Sequence, residues 1–222
     1  MLHSTPDTAS ESAPYQSIDE KERECRVQML TLPHIKPLTD YVASIRDRKG
    51  DKYQVPHFDP CDGGVHVKAL FLLEAPGPQA VRSGFVSRNN PDPTARNLWH
   101  LMDEAHISGS DTLLWNIVPW YVSETGRIRP VNRADVQEAL PYMGELLNLL
   151  PQLQVIVLIG KKAQSATKAI QFLTALPIMT TYHMSAQVFN ISPEKKKLTQ
   201  EMFVAIAQKL QDNMETTPCP NH

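Results

Sequence analysis

The sequence predicts an α/β protein, a three-layer α/β/α sandwich around a central, mostly parallel, four-stranded sheet. Three observations predict it. Four short apolar runs are spread between residues 66 and 182, and each is stopped by Pro, Gly or a polar residue. Amphipathic helical segments alternate with those runs, and strands that alternate with helices pair in parallel because each crossover returns the chain in the same direction. The runs are continuously apolar instead of alternating in and out, which marks strands covered by helices on both faces.

Each element follows from local chemistry. From Pro33 to Asp47, Leu38, Tyr41, Val42 and Ile45 share one helical face. Lys49 to Gly64, rich in Gly, Asp and Pro, reads as a loop. His66 to Leu73 is the first strand, and Pro76 with Gly77 ends it. Pro93 to Ala105 is a helix with Thr94 near its start and Leu98, Leu101 and Met102 inward. Thr112 to Val118 is the second strand, stopped by Pro119. In the long amphipathic helix from Arg133 to Leu150, Pro141 predicts a kink or a break. Gln154 to Ile159 and Pro177 to Tyr182 are the third and fourth strands, with a helix from Lys161 to Leu173 between them. Ser192 and Pro193 open a last helix to Gln211 as N-cap and first helical residue.

A chain of 222 residues suits one well-buried domain, expected over residues 21–213 between a disordered tail (1–20) and a flexible one (214–222). No apolar run approaches the roughly 20 residues that span a bilayer. Met1 to Gln16 is polar and lacks the basic start and apolar centre of a signal peptide, so a cytoplasmic location is expected. The net charge of -2 gives no global attraction for nucleic acid, so any DNA contact must use a local basic face. Arg82, Arg88, Arg96, Arg127, Arg129, Lys161, Lys162 and the run Lys195 to Lys197 are the candidates. Cys25, Cys61 and Cys219 are widely spaced and the histidines form no ligand pair, which argues against a disulfide framework, a zinc site or an iron–sulfur cluster. No cofactor is expected.

In parallel sheets ligands bind beyond the carboxyl ends of the strands. There the first strand runs into Glu74-Ala75-Pro76-Gly77, a carboxylate beside a turn whose backbone can approach a ligand, or else a solvated loop residue. Phe85 downstream is either a core anchor or a platform for a flat base. Asn116, set in an apolar strand, must find partners. They are nearby backbone, or the donor and acceptor of a pyrimidine edge. Gly160-Lys161-Lys162-Ala163 opens a helix, which favours anions. His183-Met184-Ser185-Ala186-Gln187 forms a short polar loop.

In this order, over Val67 to Pro193, the set resembles the uracil-DNA glycosylase superfamily. Glu74-Ala75-Pro76-Gly77 is similar to the Gly-Glu-Ala-Pro-Gly motif of its family 4, and Gly84-Phe85-Val86 to that family's Pro-Phe-Val. Val157 to Gly160 with Ala163 and Gln164 resembles the superfamily's helix-opening segment, and His183-Met184-Ser185 its His-Pro-Ser. Leu73 stands in place of the first Gly, Met184 in place of the Pro, and the cluster-binding cysteines of family 4 are missing. The resemblance is therefore to a divergent branch without a cluster.

The resemblance implies a monomeric, monofunctional glycosylase that hydrolyses the N-glycosidic bond of a flipped-out uracil or modified pyrimidine in single- or double-stranded DNA and leaves an abasic site. Glu74 would activate water, Asn116 read the base, His183 donate to the leaving base as a neutral imidazole, and Phe85 stack. Ala75, Pro76, Gly77 and Met184 would also line the base site. Arg88, Lys161, Lys162, Ser185, Gln187, Val188 and Lys195 would contact DNA, with Gln187 near the gap left by the flipped base. Three alternatives stand beside it. One is a glycosylase for another base, either a bulky modified phage pyrimidine (hence anti-phage defence) or a deaminated purine. Another is a non-catalytic binder of damaged DNA. The third, a nucleotide-binding α/β enzyme, would need the Gly-rich phosphate loop that the first strand lacks.

Overall fold

A computed structural model describes residues 17–124 and 127–215. In chain order the elements are α1 (Glu20–Met29), α2 (Lys36–Lys49), β1 (His57–Phe58), β2 (Ala69–Leu73), α3 (Pro78–Ser83) and β3 (Phe85–Val86). Then come α4 (Pro93–Glu104), β4 (Thr112–Asn116), β5 (Ser123–Glu124), β6 (Arg127–Ile128), α5 (Arg133–Asn148) and β7 (Val155–Ile159). The chain continues through α6 (Gly160–Gln164), α7 (Thr167–Leu173), β8 (Ile178–Thr181), α8 (Ala186–Ile191) and α9 (Pro193–Glu215).

The four apolar runs form one parallel sheet in the order β4-β2-β7-β8. Leu73 lies opposite Asn116, Leu72 opposite Leu158, and Ile159 opposite Thr181, so the strands end almost level and their following loops share one mouth. Alternate residues of a strand face opposite layers. Phe71 accordingly stacks on Phe203 of α9, with ring centroids 5.7 Å apart. Its neighbour Leu72 pairs with Trp115, which stacks on Phe58 at 3.7 Å and meets Tyr41 of α2 on the other face. These rings are almost fully buried, and both helical layers are anchored through them. Among the described residues, no helix is long and apolar enough to cross a membrane.

Several expectations need correction. The domain starts before residue 21: Ile18 is buried, its N–H donates to Asn89 O at 2.9 Å, and Asp19 caps α1. At the other end α9 runs to Glu215, while residues 1–16 and 216–222 lie outside the described residues. Helix α1 escapes a reading by apolar periodicity because the residue it buries is Arg26, paired with Asp59. The presumed loop 49–64 contains β1, which pairs in parallel with β3. The single helix expected at 161–173 is two. Ser165 Oγ donates to Lys162 O and Thr167 Oγ1 to Gln164 O, both at 2.6 Å, so side-chain hydroxyls compete for carbonyls at the break. Helix α5 continues through Pro141 unbroken, since Pro141 and Gln137 are both exposed and the lost hydrogen bond faces water. Gln187 and Val188 lie in α8, capped by Ser185, and not in a loop.

Candidate active site at the mouth of the sheet

Three side chains emerge where β2, β4 and β8 end. Glu74 directly follows β2, and its backbone is tied to the chain beyond β4: Ile117 N–H donates to Leu73 O at 2.9 Å and Val118 N–H to Glu74 O at 3.1 Å. Its Oε1 accepts the Val131 N–H at 2.8 Å. Asn116, the last residue of β4, is 2% exposed, and its Nδ2 has no hydrogen-bond partner among the described residues. A buried donor left unpaired costs about 1–3 kcal/mol, so that amide is poised for a ligand.

His183 follows β8. Gly160, at the junction of β7 and α6, makes room for it. Gly160 has φ +81°, and a Cβ there would lie 3.0 Å from His183 Cβ, so a side chain would be both strained and crowded. The His183 Nδ1 accepts the Ser185 N–H at 3.2 Å, which puts the proton of the neutral ring on Nε2. Burial lowers the His183 pKa below its ordinary 6.5, and the carboxylates of Glu74 and Asp92 pull it back only in part. The ring is therefore neutral at pH 7 and offers Nε2–H as a donor.

Two adjoining cavities meet at these residues. One, of about 370 Å³, is lined by Asn116, His183 and the Ala75-Pro76-Gly77 turn, with Gln79, Asn90 and Asp92 around it. The other, of about 360 Å³, holds Glu74, Ile128, Arg129 and Val131. Leu73, Ala75, Pro76 and His183 line both. Glu74 and Asn116 thus line neighbouring chambers with His183 on their common wall. No lysine lines either one. Among the described residues, no three His, Cys, Asp or Glu side chains gather as metal ligands would.

The structure brings together Glu74, Ala75, Pro76, Gly77, Asn116 and His183 and leaves other candidates elsewhere. Phe85 is 1% exposed, faces His57 with centroids 6.3 Å apart, and lines neither cavity, whereas its neighbours Val86 and Ser87 line the Asn116 chamber. Met184 is wholly buried in the core, with its carbonyl accepting from Asn97 Nδ2 at 2.8 Å. Arg88 is buried in an ion pair with Asp62 and donates to Met102 Sδ at 3.1 Å, so it is not presented to DNA. Lys162 Nζ donates to Val131 O at 2.7 Å. Lys161, Gln187 and Lys195 are exposed, Ser185 and Val188 are half-buried, and Lys195 sits 5.7 Å from the Tyr182 ring.

Asp92, Gln79 and Val131 were missed. Asp92 carries a visible N-cap signal before Pro93, and it accepts the N–H groups of Thr94 and Ala95 at 3.0 Å. Nothing local in the sequence marks Gln79 or Val131 as site residues.

A family model described as the uracil DNA glycosylase superfamily matches residues 60–211. No curated protein matches. Among solved structures, the chain is similar to a solution structure from Methanosarcina acetivorans, itself only provisionally assigned as a uracil DNA glycosylase. The identity is 15% and the TM-score 0.45, over 63% of this chain and 91% of that one, a likeness too slight to argue from. The family match spans well over half of the chain and every strand of the central sheet, and the chain belongs to the uracil DNA glycosylase superfamily.

Proposed function

We propose that the protein is a DNA glycosylase that hydrolyses the N-glycosidic bond of a flipped-out uracil or modified pyrimidine and leaves an abasic site. The observation that carries this reading is the unpaired Asn116 amide, buried in a cavity that shares His183 with the chamber of Glu74. Extruding the nucleotide costs a few kcal/mol, which contacts in the pocket must offset. Asn116 reads the polar edge of the base, and Val86, Leu98 and Leu114 supply the apolar wall in place of Phe85. As the C1′–N bond breaks, its electron pair leaves with the base, and His183 Nε2–H donates to the base oxygen where negative charge develops. Water bonds to C1′ and passes its proton to Glu74, whose carboxylate also offsets positive character on the sugar. Neither chamber is lined by a lysine that could serve as an amine nucleophile, which supports water as the attacking group and a monofunctional enzyme. The steps use only side chains of one chain and water. Lys161, Ser185, Gln187, Val188 and Lys195 are the proposed DNA contacts.

Release of a base other than uracil is favoured by one observation. The Asn116 chamber lacks an aromatic platform and adjoins a second chamber of similar size, which leaves room for a substituent. Mass spectrometry of bases released from a panel of single- and double-stranded DNAs carrying uracil, modified pyrimidines and deaminated purines tests both readings. Release of one class by wild type and not by Glu74→Gln is the expected outcome. Tight binding to abasic DNA with no base released from any substrate would leave only a damaged-DNA binder.

A further inference from the structure

Among the described residues the Glu74 carboxylate has one hydrogen-bond partner, and that partner is itself held. Val131 donates its N–H to Glu74 Oε1 at 2.8 Å, accepts the Lys162 ammonium on its carbonyl at 2.7 Å, and buries its side chain. The N–H and the carbonyl belong to successive peptide units, so together they fix both sides of the Val131 Cα. Next to them Arg129 clamps Asp135 through two bonds of 2.6 and 2.7 Å. Asp135 Oδ2 also accepts the Asn132 N–H at 2.8 Å, and Asn132 Oδ1 accepts the Asp135 N–H at 3.0 Å in a capping box that starts α5. The segment is therefore anchored to α5 on one side and, through Lys162, to α6 on the other.

We infer that Lys162 is a positioning residue: through Val131 it holds the Glu74 carboxylate in the orientation that activates water, and it does not grip a DNA phosphate. The inference rests on the glycosylase reading above. An ammonium-to-carbonyl hydrogen bond is charge-assisted and stronger than a neutral one. With Oε1 engaged by Val131, Oε2 is the oxygen that makes no hydrogen bond among the described residues and can take the water. If the lysine is lost, the Val131 segment keeps its anchor to α5 but loses the one to α6, and the carboxylate regains rotamer freedom. A displacement of about 1 Å at a catalytic group is enough to slow a reaction about 100-fold.

The test compares wild type, Lys162→Met and Lys162→Arg in single-turnover base release at saturating DNA and in DNA binding across a salt series. Expected is a rate constant about 10- to 100-fold lower in Lys162→Met, with Kd and its salt slope unchanged, and most of the rate restored in Lys162→Arg, which can donate to the same carbonyl. A wild-type rate in Lys162→Met overturns the inference. So does a loss confined to binding with the salt slope reduced by about one, the signature of a phosphate contact. Amide exchange at Val131, measured by NMR, gives a readout independent of activity. Faster exchange in Lys162→Met supports the inference, and unchanged exchange overturns it. If wild type releases no base at all, the glycosylase reading fails, while the Val131 amide still decides whether Lys162 orders this segment.

Discussion

Two polar clusters adjoin this sheet, and they are finished differently. Asp59 accepts from Arg26 Nε and the Cys61 N–H, both at 3.0 Å, and from Ser87 Oγ. Asp62 accepts from Arg88 and from the Leu114 N–H at 3.3 Å. Every charge there is met within the protein. At the mouth of the sheet, Asn116 is as deeply buried yet its Nδ2 is unmatched among the described residues, and the half-buried Glu74 bonds through only one of its oxygens there. The first cluster closes on itself, whereas the second stays open toward the cavities, as the proposed binding role requires.

That contrast breaks first at Asn116. Asn116→Ala is expected to lower base release about 10- to 100-fold, as loss of a contact that reads a base edge, about 1–3 kcal/mol, does. Its urea midpoint should not fall, because the substitution removes an unsatisfied group. A large stability loss with normal activity would place Asn116 in the structural class. Asp62→Ala should do the reverse. It leaves Arg88 buried without its counter-charge and is expected to cost about 3–5 kcal/mol by urea titration, with activity per folded molecule retained.

A smaller effect concerns His57, whose Nε2 lies 2.9 Å from Arg46 Nη1 and must accept, so the ring is neutral. Burial first, and Arg46 second, lower its pKa from 6.5 to about 4. Between those values the unfolded chain holds the extra proton, so this contribution to stability is present above pH 6.5 and lost as pH falls through 4. His57→Gln keeps an acceptor for Arg46 without a titrating ring. Its urea midpoint should therefore vary less than that of wild type over the same window, and equal slopes would show that His57 is not the titrating group.

Much of this was legible in sequence, for reasons that also explain the failures. Continuous apolar runs announce buried parallel strands, so the sheet and the residues at its strand ends (Glu74, Asn116 and His183) could be placed from their neighbours alone. Burial created by partners distant in the chain was invisible. Arg88 read as a free basic residue because Asp62 lies 26 positions away. Phe85 read as a loop platform because its partner strand β1 is two residues long and sits in a segment rich in turn formers. Met184 read as part of a polar loop because Ser185, the cap of α8, looked like the loop itself. The charged helix α1 carries no apolar stripe to detect.

The register of the sheet has a consequence for how the protein acquires activity. Glu74 follows Leu73, and Leu73 faces Asn116 only because β2 and β4 pair at Ala69 with Thr112. A slip of one residue would set Trp115 opposite Leu73 and turn the Asn116 amide to the other face of the sheet. These pairings join segments about 40 residues apart and form only once the crossovers between them have closed, the slow kind of contact in folding. A partly folded or misregistered chain can thus hold Glu74, Asn116 and His183 and still lack the candidate site. The candidate site is completed by long-range pairing of the sheet and not by any local segment of the chain.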